Sequence, residues 1–183
     1  MYFMILIGQA VIMLFQLRSL MQSSPADYYN PFVQLVAKLT QPVVHLMPFR
    51  QAHIGSFFYA GALIALIFAL LFWIVFMFVL SSGSDTIISK FLMALVLAFF
   101  MFIKSFGYLF LALLLVEAIT SWLPSTRSVS YLCAQITSPL VGPIQKIIPP
   151  IGMIDISLML IMIALFALNT LMVKLFGPLW LVF

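Results

Sequence analysis

The chain has 183 residues, of which 66% are hydrophobic and 7% charged, with a mean hydropathy of +1.28. Soluble domains carry about a quarter charged residues, so this composition excludes a soluble enzyme, a nucleic-acid binder and a disordered chain. The net charge of +4 comes from singly scattered side chains rather than a basic run, and the uncharged stretch 54–84 is too long for a membrane β-barrel strand. What remains is a polytopic helical membrane protein. One cysteine, Cys133, leaves no internal disulfide and no thiolate metal cluster.

The first predicted span is Tyr2–Met21. It has neither a basic n-region nor a small-residue cleavage site, so it reads as a retained helix rather than a signal peptide. The loop 22–56 contains a helix with Asn30 as N-cap and Pro31 at its first position. Phe32, Val33, Leu35, Val36 and Leu39 form an apolar face on it, with Gln34, Lys38 and Gln41 opposite. A proline turn is expected from Thr40 and Pro42. His45 and His53, eight apart with no nearby cysteine, read as polar loop residues and not as metal ligands.

The second span is Phe57–Leu80, closed by SSGS, with Gly61 and Ala65 forming a small-xxx-small patch for close helix packing. The third is ambiguous. A crossing at Lys104–Trp122, with Lys104 snorkelling at one edge and 86–103 as an interfacial or tilted extension, gives four spans; a separate crossing gives five. SVSYLCAQITSP then repeats the amphipathic loop helix, and the turn Gly142–Asp155 is rich in proline and glycine. Asp155 N-caps the fourth span, Ile156–Phe176, which stops at Gly177-Pro178.

The chain repeats internally. LTQPVV at Leu39–Val44 matches ITSPLV at Ile136–Val141, aligning Thr40 with Thr137 and Pro42 with Pro139; Arg18–Pro25 likewise lies over Glu117–Pro124. The expected fold is all-α: four transmembrane helices in two tandem same-orientation repeats, 1–85 and 86–183, each with an interfacial amphipathic helix and a rigid Pro/Gly turn. Both long loops then lie on one side, which collects Arg18, Lys38, Arg50, Arg127 and Lys146 and is therefore cytoplasmic.

From ITSPLV through GPIQKIIPPIGMIDIS, the chain resembles the YggT family of small bacterial integral membrane proteins, relatives of the chloroplast YlmG proteins. The family unit is TxP, a GP pair, a basic stretch, a proline, then GxID opening a span. The second copy fits through Thr137, Pro139, Gly142, Pro143, Lys146, Pro149, Gly152 and Asp155; Asn30, Pro31, Thr40 and Pro42 resemble the first. The first copy departs at His45-Leu46, Ala52 and Phe58, where GP, proline and aspartate are expected. The resemblance implies the bacterial inner membrane and survival of osmotic or extracytoplasmic stress. Plastid and cyanobacterial relatives are linked to membrane-complex biogenesis.

Candidate functional residues follow from polarity at membrane depth, where a lone charge at a helix centre costs about 2.5–3.5 kcal/mol on insertion scales. Arg18 and Glu117 occupy equivalent repeat positions, which predicts an ion pair between the first and third spans; the alternative is a snorkelling Arg18 with a protonated or hydrated Glu117. Lys104 and Asn169 are the other intramembrane polar residues, Asn169 suited to bonding a neighbouring helix. No catalytic set, phosphate-binding loop or cofactor pattern is present in the sequence. The sequence points to a non-enzymatic membrane factor whose partners are the bilayer, anionic headgroups (Lys146) and a membrane protein or a second copy. The competing class is an oligomeric ion or osmolyte transporter subunit.

Overall fold

The computed structural model describes residues 2–24, 29–46, 53–54, 57–80, 86–122, 126–146 and 155–182. In chain order the elements are α1 (Tyr2–Ser23), α2 (Pro31–Leu46), β1 (His53–Ile54), β2 (Phe57–Phe58), α3 (Ala60–Leu80), α4 (Ile87–Trp122), α5 (Arg127–Gln145), α6 (Ile156–Phe176) and α7 (Pro178–Leu181). Four of them, α1, α3, α4 and α6, are long and apolar enough to cross a membrane. The protein is a multi-pass helical membrane protein, and the five-span alternative falls away because 87–122 is one unbroken helix.

Local chemistry sets the helix ends. Asn30 Oδ1 accepts from Phe32 N at 3.0 Å and opens α2; Asp155 Oδ1 accepts from Ser157 N at 2.9 Å and opens α6. At Gly177, φ is +52°, a conformation that turns the chain sharply, and Pro178 at the start of α7 carries it back toward α4. The second span begins at Ala60 rather than Phe57, because His53–Ile54 and Phe57–Phe58 form a two-residue antiparallel pair that holds the chain extended there.

α4 is the spine. At 36 residues it is about 54 Å long, well beyond a hydrocarbon core of about 30 Å. Lys104 falls at its middle and is buried, which corrects the expected snorkelling at an edge. All three apolar clusters include α4. The first joins Ile12 and Phe15 of α1 and Ile64 and Trp73 of α3 to Leu97 and Met101. The second joins Leu20 and Met21 of α1, Val33 and Val36 of α2, and Leu132 and Ile136 of α5 to Leu109 and Leu113. The third joins Val141 and Leu158 to Phe110 and Leu114. Tight packing of α1 on α3 requires glycine at position 61: a Cβ there would stand 2.6 Å from the Phe15 carbonyl oxygen.

Candidate functional site

Three groups of polar residues stand out in the bundle. The first is at the contact of α4 with α5. Glu117 and Arg18 are both buried, yet they form no ion pair. Glu117 Oε2 instead accepts from Thr137 Oγ1 at 3.0 Å, while Nε and Nη1 of Arg18 are buried without a hydrogen-bond partner. The expected lock between the first and third spans is thus replaced by one between α4 and α5. The reason is local: Thr137 sits on the α5 face that packs against α4, one helical turn after Cys133, and reaches the carboxylate first. Cys133, on α5 and outside the four spans, has its thiol pushed up from 9.0 to about 11, by burial first and then by the charge of Glu117.

The second group is the motif turn. Thr40 and Thr137 are both buried and each bonds back to the carbonyl four residues earlier, Val36 at 2.7 Å and Cys133 at 3.0 Å. Pro42 lies inside α2, and Pro139, Gly142 and Pro143 lie inside α5, not in a turn as expected. A helix tolerates such prolines where another donor serves the freed carbonyl. Ser138 Oγ does so, donating at 2.8 Å to the carbonyl of Gln135, the one Pro139 cannot reach. Helix therefore continues to Gln145, and Lys146 is its exposed C-cap. Gln145 Nε2 then donates to Asp155 Oδ2 at 2.8 Å, so the two ends of the turn are tied together. Pro149 and Gly152 lie outside the described residues.

The third group lies at mid-helix. Lys104 Nζ donates to the Trp180 carbonyl at 2.8 Å and stands 5.6 Å from the centroids of the Tyr108 and Trp180 rings. Trp180 Nε1 donates to Asn169 Oδ1 at 2.9 Å, and Phe100 packs against Phe176 and Trp180 with centroids 4.7 and 5.8 Å away. The two intramembrane polar residues of the sequence thus meet through α7. Sequence reasoning missed Trp180; its signal was the Gly-Pro pair before it, read only as a stop. It also missed the buried Gln16, Ser19 and Ser105, because uncharged polar side chains raise no alarm in a hydropathy reading. Among the described residues no three His, Cys, Asp or Glu gather in a way that would hold a metal.

Comparison with known proteins decides what this bundle is. Residues 96–176 match the CCB3/YggT family. The chain is 36% identical over 170 residues to an uncharacterized protein of Vibrio alginolyticus, spanning 92% of this chain and 90% of that one. It is 34% identical over 160 residues to the uncharacterized protein YggT of Escherichia coli (strain K12), covering 86% and 80%, and 33% identical over 169 residues to an uncharacterized protein of Haemophilus influenzae, covering 91% and 87%. The chain belongs to the YggT family. No solved structure matches it.

The family match runs from residue 96, in the first half of α4, to the end of α6, so it contains the Glu117–Thr137 contact, the Gln145–Asp155 tie, Lys104 and Asn169. In this YggT-family chain a cavity of about 430 Å³ lies over the same region. Leu109, Leu113, Leu132 and Cys133 form its floor, and Asn30 and Ser128, from the starts of α2 and α5, stand at its rim.

Proposed function

We propose that this YggT-family protein is a non-enzymatic factor that assists the assembly or stability of a membrane complex, and in that way supports osmotic and extracytoplasmic stress tolerance. The observation that carries this reading is how α2 divides its surface. Val33, Val36, Thr40 and Val44 are buried against the bundle; Phe32, Leu35, Leu39 and Leu46 form an exposed apolar stripe; Gln34, Lys38, Gln41 and His45 form an exposed polar one. A helix with three such stripes suits the boundary where protein, lipid and water meet, lying in the headgroup layer with an apolar and a polar strip open to a partner.

The same reading takes α1–α3 and the second half of α4 with α5 and α6 as two tandem copies. It is supported by the equal 21-residue lengths of α3 and α6 and by the matching back-bonds of Thr40 and Thr137. Both loop helices then face the cytoplasm from the bacterial inner membrane. Reporter fusions after Leu80 and Phe183 test this, and cytoplasmic activity at either point contradicts it.

Photo-crosslinkers placed at Leu39 and Gln41 in native membranes test the assembly role. Reproducible capture of one membrane protein, lost on reversing the charge at Lys38, supports it; lipid adducts alone overturn it. A second reading, an oligomeric ion or osmolyte transporter subunit, is favoured by one feature, the charged Lys104 held at the middle of a spanning helix. Liposomes that pass K⁺ or Na⁺ under an osmotic gradient in the presence of the purified protein would establish that reading instead.

A further inference from the structure

We propose that the cleft between α4, α6 and α7 binds a quinone, a membrane-dissolved molecule with an apolar ring and carbonyl oxygens. A cavity of about 90 Å³ opens there, walled by Gly107 and Tyr108 of α4, Phe166 and Asn169 of α6 and Trp180 of α7. Tyr108 and Phe166 are 41% and 58% exposed on spanning helices, so the cleft is open to lipid. Asn169 stands seven residues before the end of α6 at Phe176, about 10 Å inside a span that matches the hydrocarbon core in length.

The polar groups still free in the cleft are donors. Asn169 Oδ1 and the Trp180 carbonyl are already taken, by Trp180 Nε1 and Lys104 Nζ. Asn169 Nδ2 and Tyr108 Oη have no hydrogen-bond partner among the described residues, and both residues line the cavity. Asn169 is half-buried, and its Nδ2 keeps surface to offer. Outside the membrane, water would serve these groups; at hydrocarbon depth an acceptor has to be brought to them.

Depth and shape select the occupant. An acyl chain has no acceptor. The ester carbonyls of a phospholipid and the carboxylate of a fatty acid stay at the headgroup boundary, too far out to reach Asn169. Water needs acceptors for its own protons, and the amide oxygen and carbonyl of the cleft are used. A helix of a second copy, about 10 Å across, does not enter so narrow a space. The carbonyl edge of a quinone does. Its oxygens accept from Asn169 and Tyr108, its ring lies against apolar and aromatic walls, and its tail stays in lipid. Gly107 leaves the room, since a Cβ there would meet nothing within 4 Å.

Asparagine labelling tests this, because the chain has only two, Asn30 and Asn169. In the full chain labelled with ¹⁵N-asparagine in bilayers, decyl-benzoquinone should move the Asn169 side-chain amide signal saturably and leave Asn30 in place. Decylbenzene, which lacks the carbonyls, should move neither. The signal is assigned by its loss in Asn169→Leu. Gly107→Leu, which fills the cleft, should weaken quinone binding at least tenfold, and Tyr108→Phe several-fold. No saturable shift with the quinone, an equal shift with decylbenzene, or unchanged binding in a folded Gly107→Leu protein overturns the proposal. A signal that moves with the protein-to-lipid ratio and ignores the quinone marks a second copy as the occupant and overturns it too.

Discussion

Thr137 Oγ1 stands 3.0 Å from Glu117 Oε2 and pins α5 against α4 at the point where the family motif begins. That hydroxyl has one proton, shared between Glu117 and a second acceptor at 3.0 Å, the Cys133 carbonyl, so a helical back-bond and a bond between elements draw on the same donor. Removing the carboxylate with Glu117→Ala leaves a buried hydroxyl with only its own helix to serve, and should lower stability by about 1–3 kcal/mol; Glu117→Gln, which keeps an acceptor, should lose less. A double-mutant cycle in detergent unfolding measures the partners directly. Glu117 and Thr137 should couple by at least about 0.5 kcal/mol, whereas Arg18 and Glu117 should add independently. A clear Arg18–Glu117 coupling would restore the ion pair.

Three glycines should respond differently to alanine. Gly61→Ala drives a Cβ to 2.6 Å from the Phe15 carbonyl oxygen, which the backbones of α1 and α3 must open to admit, at about 1–3 kcal/mol. Gly177→Ala places a side chain at φ +52°, costing about 1–3 kcal/mol. Gly142, although part of the motif, is helical and a Cβ there meets nothing within 4 Å. The gain of about 0.5–1 kcal/mol from removing a helical glycine is offset by crowding against Pro143, so Gly142→Ala should be near neutral. Thermal unfolding of the three variants ranks them, and a large loss at Gly142 would put the turn back where the motif alone suggested.

Deleting residues 178–183 removes the carbonyl that Lys104 binds and the ring that covers it. The loss should be about 1.5–3 kcal/mol, the usual worth of a hydrogen bond to a charged group. Lys104→Met in the truncated chain should recover much of it, and Lys104→Met in the full chain should be neutral or stabilising. Equal loss from truncation with and without Lys104→Met would mean that α7 acts through packing alone.

Cys133 gives a readout in pH. Its thiol sits at about 11 when folded against 9.0 ordinarily, so the folded state holds the proton more tightly than the unfolded one. The stability this contributes is complete below pH 9 and is lost as pH rises toward 11. Cys133→Ala should flatten the stability curve over that window. At pH 8 the thiolate fraction is on the order of a hundredfold lower than that of an ordinary thiol, so maleimide labelling of the folded protein should be slowed at least that much and become fast on unfolding.

Much of the bundle was legible in the chain, and the reasons are local. Unbroken apolar runs of about 20 residues have no stable place outside lipid, and caps such as Asn30 and Asp155 satisfy N–H groups within two or three residues. Gly61 and Ala65 announced a close helix approach because only small side chains permit one. The prolines misled, because a proline marks a helix end only if nothing else serves the freed carbonyl, and the neighbouring Ser138 does. Lys104 misled for a related reason. Hydropathy counts the charge as an expense to be placed at an edge, whereas the molecule meets it with a carbonyl 76 positions away in sequence.

The sequence by itself determined the membrane, the first, second and fourth spans, the two loop helices and the family, since each depends on composition or on contacts within a few turns; that 87–122 makes one span and not two is read from its single unbroken helix. Only the tertiary structure decided which polar groups meet: Glu117 with Thr137 and not Arg18, Lys104 and Asn169 with Trp180, and Gln16 with the Phe102 carbonyl. Those pairings depend on the depth and rotation at which one helix lies against another. Packing of apolar side chains along the whole of α4 fixes both, and no polar residue carries that information in its own neighbourhood.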